Sequence, residues 1–171
     1  MLFPHQALRI GMSTPHVIRL RGPWEYCPLE RVRLLHDGTC ERSSQGLPPG
    51  GRVEIPADWG QTLGDDFRGR VRYVRRFGCP TNLTSGDRVW LVLEAVDARA
   101  EVMLNDEPLG SVTGPAGGRF DITAALRDRN VLTVDVELLP LPSEVERERR
   151  AERAGGPGGL IGEVRLEIAA R

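Results

Sequence analysis

The stretch "LEAVDARAEVMLNDEPLG", residues 93–110, decides the fold. Leu93 closes the run "RVWLVLEAV" (residues 88–96), which is apolar almost throughout and reads as a central strand covered on both faces. The chain then turns a corner near Asp97. "RAEVMLND" follows and alternates, with Ala100, Val102 and Leu104 on one side. Asn105-Asp106 is a turn signal, because short polar side chains tolerate the left-handed backbone a tight hairpin needs. Strand, corner, strand and turn in eighteen residues is β architecture.

The same period extends outward in both directions. "GRVRYVRRF" (residues 69–77) puts Val71, Tyr73, Arg75 and Phe77 on one face and Arg70, Arg72, Val74 and Arg76 on the other. "VLTVDVELL" (residues 131–139) turns Leu132, Val134, Val136 and Leu138 inward, and "EVRLEI" (residues 163–168) does the same with Val164, Leu166 and Ile168. Nearer the start, "HVIRLRGPWEY" alternates through Ile18 and Leu20 and breaks at Gly22-Pro23, and "RVEIPADWG" is a short strand stopped by Pro56. "HDGTCERSSQGLPPGG" (residues 36–51) and "GSVTGPAGG" (residues 110–118) read as loops. Asp121 or Thr123 caps a short helical turn through Leu126, and "PSEVERERRAERAGGPGG" (residues 142–159) reads as a charged helical excursion ended by glycines. Roughly eight short strands without a long amphipathic helix predict an all-β domain, a jelly-roll β-sandwich, over residues 17–171. Residues 1–16 are expected to be an irregular lead-in.

With 171 residues, 40% of them hydrophobic, the chain suits one domain with a sizeable core. A net charge of −1 gives no global attraction to nucleic acid or to an anionic membrane. All 23 basic residues are arginine, which reads as the codon bias of a GC-rich genome. Cys27, Cys40 and Cys79 form no CxxC pair and are odd in number, so three reduced thiols are expected, with neither a disulfide framework nor a zinc site. The N-terminus has no continuous apolar segment of signal-peptide type, and no run is long enough to span a bilayer; a cytoplasmic protein is the expectation.

Few residues invite chemistry. Arg75 shares its face with Tyr73 and Phe77, and a guanidinium pointing inward needs a carboxylate. Glu94 and Asp97, at the end of the central strand, are the candidates for a structural ion pair. Among three tryptophans, Trp90 lies inside the apolar run and is expected in the core. Trp59 follows Pro56 in a loop and is the one plausible sugar-stacking platform. Asp65-Asp66 is an acidic turn; Asp65 is a candidate ligand contact, but the pattern lacks the alternating carboxylates of a calcium loop. His5, His16 and His36 sit at no metal-ligand spacing, and no nucleophile or phosphate-loop motif is present. No metal or cofactor is expected. The arginines of "RGRVRYVRR" read as the solvent face of one strand.

The order of several motifs resembles the N-terminal sugar-binding domain of glycoside hydrolase family 2, the group of β-galactosidases, β-glucuronidases and β-mannosidases. The motifs are "LRGPWEY", "VEIPADW", "YVRRF", the opening stretch, "GRFDITAAL", "NVLTVDV" and "GGLIGEVRL". Together they run from about residue 17 to residue 166. The resemblance implies a galactose-binding-like jelly roll. It also implies that the catalytic carboxylates of such enzymes belong to a separate downstream barrel, so this chain, ending at Arg171, is expected to be non-catalytic by itself. In the family a polar residue in the loop after the second strand often reaches toward the active site; here "VTGPAGG" offers only Thr113. The family's usual Asn-Gly turn is Asn105-Asp106, and Gly162 stands where the last motif often carries arginine. The expected role is a carbohydrate-binding or accessory module. The alternatives are a protein-interaction sandwich without sugar contacts and a detached part of a glycoside hydrolase.

Overall fold

The computed structural model describes residues 15–152 and 158–170; residues 1–14 of the expected lead-in lie outside them, and His16, its last residue, opens the first strand. Thirteen strands and one helix follow one another in this part of the chain. They are β1 (His16–Arg19), β2 (Trp24–Leu34), β3 (Cys40–Ser43), β4 (Gly51–Val53), β5 (Ala57–Asp58), β6 (Gly69–Gly78), β7 (Asp87–Leu93), β8 (Arg99–Leu104), β9 (Glu107–Thr113), β10 (Gly118–Asp121), β11 (Arg129–Leu138), α1 (Ser143–Glu152), β12 (Gly159–Leu160) and β13 (Val164–Ala170). One sheet has the order β1-β13-β7-β10. The other runs β3-β2-β6-β11-β8-β9, with β4 on the free edge of β2 beside β3. β5 and β12 make a separate two-stranded patch. Every pairing between these strands is antiparallel.

One core lies between the two large sheets. Val89, Leu91 and Leu93 from β7 and Val164 and Leu166 from β13 meet Val71 and Tyr73 from β6, Val102 and Leu104 from β8, and Leu132, Val134, Val136 and Leu138 from β11. The inward sets expected from period-2 alternation are buried, apart from Ile18, Arg75, Phe77 and Ile168, which are partly buried. Trp24 is fully buried, and its indole donates 2.6 Å to the carbonyl of Leu20, so the one polar atom of the ring is satisfied. No helix among the described residues is long and apolar enough to cross a membrane.

Three expectations need correction. Of residues 110–118, read as loop, 110–113 belong to β9 and Gly118 opens β10. Residues 40–43, read as loop, form β3 against the far end of β2. All four are exposed, so no hydrophobic period marked them. Trp90 is not in the core. It sits half-buried on the outer face of β7, where the Arg119 guanidinium from β10 lies 4.1 Å from its ring centroid. The alternation of β7 sends Val89 and Leu91 inward, so Trp90 must point out.

The turn at Asn105-Asp106 has positive φ at both residues (54° and 68°), the backbone of a tight hairpin. The Asn105 side chain does more than permit the turn. Its Nδ2 donates to the Ala125 carbonyl (3.0 Å) and to Asn130 Oδ1 (3.1 Å), and its Oδ1 accepts from the Val131 amide (3.0 Å). Asn130, 1% exposed, accepts from the Arg127 amide (2.9 Å) and donates to the Arg127 carbonyl (2.7 Å). The two amides thus tie the β8–β9 turn to the chain entering β11. Asn130→Ala removes a buried acceptor and a buried donor at once and is expected to lower stability by about 2–3 kcal/mol, read from the urea midpoint. A change below about 0.5 kcal/mol would contradict this placement.

Candidate functional site

At one end of the sandwich the 55–67 segment, the corner after β7 and the loop before β13 are held together by backbone bonds. The Trp59 amide donates to the Gly158 carbonyl (3.1 Å), Asp97 and Gly159 exchange two bonds of 3.0 Å, and the Gly162 amide donates 3.0 Å to Ala95. Asp97, 7% exposed, also accepts from the Gly158 amide through Oδ2 (2.9 Å). A Cβ on Gly162 would lie 2.4 Å from the Ala95 nitrogen. No side chain fits there, which is the physical reason this chain carries glycine at that position.

The expected ion pair is not formed. Arg75 does face inward and is half-buried, but its Nη1 donates to the carbonyl of Pro23 (2.9 Å) and its buried Nε has no partner. Glu94 is engaged by the Glu163 amide (3.0 Å), and Asp97 by Gly158. The break between β1 and β2 brings the Pro23 carbonyl to the end of β6, and this supplies the acceptor a carboxylate was expected to provide. Arg75→Met keeps the stem and removes the unsatisfied nitrogen at the loss of one hydrogen bond. Its unfolding free energy should stay within about 1 kcal/mol of wild type in a urea titration; a loss beyond about 3 kcal/mol would show a missing charge partner.

Trp59 cannot serve as a sugar platform. It is 0% exposed, its Nε1 donates 2.7 Å to the Tyr73 hydroxyl, and Phe67 packs edge-on at 5.3 Å between centroids. Gly158 closes over the ring: its φ is +75°, and a Cβ there would stand 2.3 Å from Trp59 Cε3. Burial pushes the Tyr73 hydroxyl well above its ordinary pKa, so it remains a neutral acceptor for the indole. The residues around Pro56 gave Trp59 the look of a loop residue; the β5–β12 patch roofs it over.

Thr113 ends β9 opposite Arg99 and is exposed. Asp65 is exposed as well, with its carboxylate against Gly60, where a Cβ would lie 2.4 Å from Oδ1. The structure does not bring these two into one site. Asp65 instead lines a groove of about 250 Å³ formed by Arg31, Val32 and Arg33 of β2 and by Leu63–Phe67. No signal in the sequence reading pointed to β2 as a wall of a site.

The groove has a local cause. β2 shifts register against β6 between Pro28 and Glu30, the mark of a β-bulge, and Arg31 then falls opposite Gly69. Gly69 has φ +152°, and a Cβ on it would be 2.0 Å from the Glu30 carbonyl, so only glycine allows the two backbones this close. Arg31 shares the face of Gly69, and its guanidinium lies 5.5 Å from the centroid of the Phe67 ring. Among the described residues no carboxylate pairs with Arg31, and its Nε is buried without a hydrogen bond. Asp65 and Asp66 each already engage another group. Arg68 is buried behind the loop and donates to the Asp65 and Phe67 carbonyls (2.9 and 2.8 Å). The groove is therefore lined by a half-buried cation from β2 and by Leu63, Asp65 and Asp66 of the facing segment. No group of three or more metal-ligating side chains occurs among the described residues.

Known proteins place this architecture. Residues 67–164 match the family model described as glycosyl hydrolase 2 galactose-binding domain-like. Among solved structures, an FMN-binding β-glucuronidase of Faecalibacterium prausnitzii superposes with a TM-score of 0.67 at 22% identity, over 92% of this chain and 23% of that one. A Bifidobacterium dentium β-glucuronidase in complex with coumarin-3-O-glucuronide gives 0.65 at 23% identity, over 99% and 32%. A rhamnosidase of Novosphingobium sp. PP1Y gives 0.61 at 22%, over 95% and 16%. The chain thus spans a third or less of each of these enzymes, and at such identities the likeness is one of fold. No curated protein matches the chain. The family match covers more than half the sequence and takes in the strands β6 to β12, which supply much of the core: the chain belongs to the galactose-binding domain-like family of glycosyl hydrolase 2.

Proposed function

We propose that the chain is a carbohydrate-binding or accessory module that does not catalyse by itself. The observation that carries this reading is the family match: the matched model is the galactose-binding domain-like part of family-2 glycosyl hydrolases, and it takes in strands β6 to β12. The superposed glycosidases are three or more times longer than this chain, which is consistent with their chemistry lying elsewhere in them. A saccharide is the partner class this supports.

Thermal denaturation of the purified protein against neutral and acidic mono- and oligosaccharides tests it. A ligand at about a hundred times its Kd should stabilise the fold by about 2–3 kcal/mol. A well-folded protein that responds to no saccharide would set the binding role aside. The accessory reading has its own support, because the loop Gly114–Gly117 has no polar side chain and Trp59 is closed to ligands. Co-purification with a separately encoded family-2 barrel, without any saccharide response, would favour it.

A further inference from the structure

We propose that the groove between β2 and residues 63–67 is a binding site for a monosaccharide-sized carboxylate, a sugar acid, held through Arg31. The inference rests on the carbohydrate reading and names the site and ligand class within it. Three features of the lining select the ligand. Arg31 is half-buried, has no carboxylate partner among the described residues, and keeps a buried Nε without a hydrogen bond. The Phe67 ring lies beneath it, with the guanidinium carbon 5.5 Å from the ring centroid. A planar guanidinium pairs well with a carboxylate, which accepts two parallel hydrogen bonds. Arg33, two residues along β2 and exposed, adds a second positive charge on the same wall.

The opposite wall disfavours an anion of higher charge than a monocarboxylate. Asp65 and Asp66 oxygens accept hydrogen bonds from hydroxyls and repel a phosphate dianion. Leu63 offers an apolar surface for the C–H face of a ring, and Gly64 adds no side-chain bulk to the lining. A single carboxylate joined to several hydroxyls satisfies both walls together. The volume of about 250 Å³ is below the range of about 300–1,000 Å³ that takes drug-sized ligands, so one sugar ring is the fitting size.

Isothermal titration of the full chain with sodium D-glucuronate, sodium D-galacturonate, D-glucose and sodium acetate decides the matter. The expected result is uronate binding that exceeds glucose and acetate binding by roughly tenfold or more and falls by roughly tenfold or more in Arg31→Met. Arg33→Met, at an exposed position, gives a second variant whose folding is secure, and should weaken the uronates several-fold. Glucose binding that equals uronate binding and ignores both variants would overturn the site while leaving the carbohydrate module standing. Acetate binding as tight as the uronates would reduce the groove to a simple anion site. No binding by any of the four would overturn the site, and the panel of neutral oligosaccharides would then decide the wider reading separately.

Discussion

Trp59→Ala should lose about 3–5 kcal/mol of stability, enough to leave a domain of ordinary stability partly unfolded at 25 °C. The ring is 0% exposed and lies among Tyr73, Phe67 and Gly158. Removing it opens a cavity that the β5–β12 patch cannot collapse to fill, because that patch is held by its own backbone pairs and by Asp97. The Tyr73 hydroxyl, buried beside it, would lose its donor at the same time. Urea denaturation followed by far-UV circular dichroism reads the effect. A Trp59→Ala protein as stable as wild type would mean that the ring is open to solvent and would restore the platform role. The same result has a practical consequence: loss of sugar binding in this variant would report unfolding and not a lost contact.

Asp135→Ala is the second large effect, expected at about 2–4 kcal/mol. Asp135 is on β11, on the outer face of the larger sheet, yet its side chain is 0% exposed. Arg72 of β6 grips it with two bonds, Nε to Oδ1 at 2.7 Å and Nη2 to Oδ2 at 2.8 Å, and Arg70 adds a third at 2.9 Å. Register explains the arrangement, since Asp135 stands directly opposite Arg72 and its β11 neighbour Glu137 opposite Arg70. The carboxylate also raises the pKa of Arg72, chiefly through that hydrogen bond. Loss of Asp135 leaves two guanidiniums facing each other, but both are about 40% exposed and can rehydrate, which puts the expected value below that of a fully buried pair. Asp135→Asn keeps the shape and should cost less. Equal stability of Asp135→Ala and wild type at low salt would contradict the clamp.

This ladder also accounts for the arginine-rich strand. Arg70 and Arg72 belong to Asp135, and Arg76 reaches Glu25 at 3.0 Å. On the neighbouring strands Arg42 bridges Glu30 and Glu137, both at 2.9 Å. A run that looks basic in one dimension is neutralised by its neighbours across the sheet.

Alternation made most of the fold legible. Val71 and Tyr73, Ala100 to Leu104 and Leu132 to Leu138 could be assigned to the core because a half-buried strand must put every second residue inside. Asn105-Asp106 was readable as a turn from backbone chemistry alone. The rest depended on pairings that no local pattern encodes. β3 has only exposed residues and exists because β2 is long enough to pair with it. Arg75 found a carbonyl from a strand break 52 residues away, where a carboxylate had been the natural expectation. Trp59 looked like a loop residue because its roof, Gly158 to Leu160, comes about a hundred residues later. The groove was invisible for the same reason: a bulge in β2 and the glycine opposite it set the face that Arg31 takes, and neither has a distinctive sequence.

The most direct test of the account is a titration of the ¹⁵N-labelled protein with sodium D-glucuronate, followed by amide chemical shifts. The account predicts saturable shifts confined to residues 31–33 and 63–67, with the Trp59 indole signal little changed. Shifts centred on residues 113–117, or none at millimolar ligand, would contradict it.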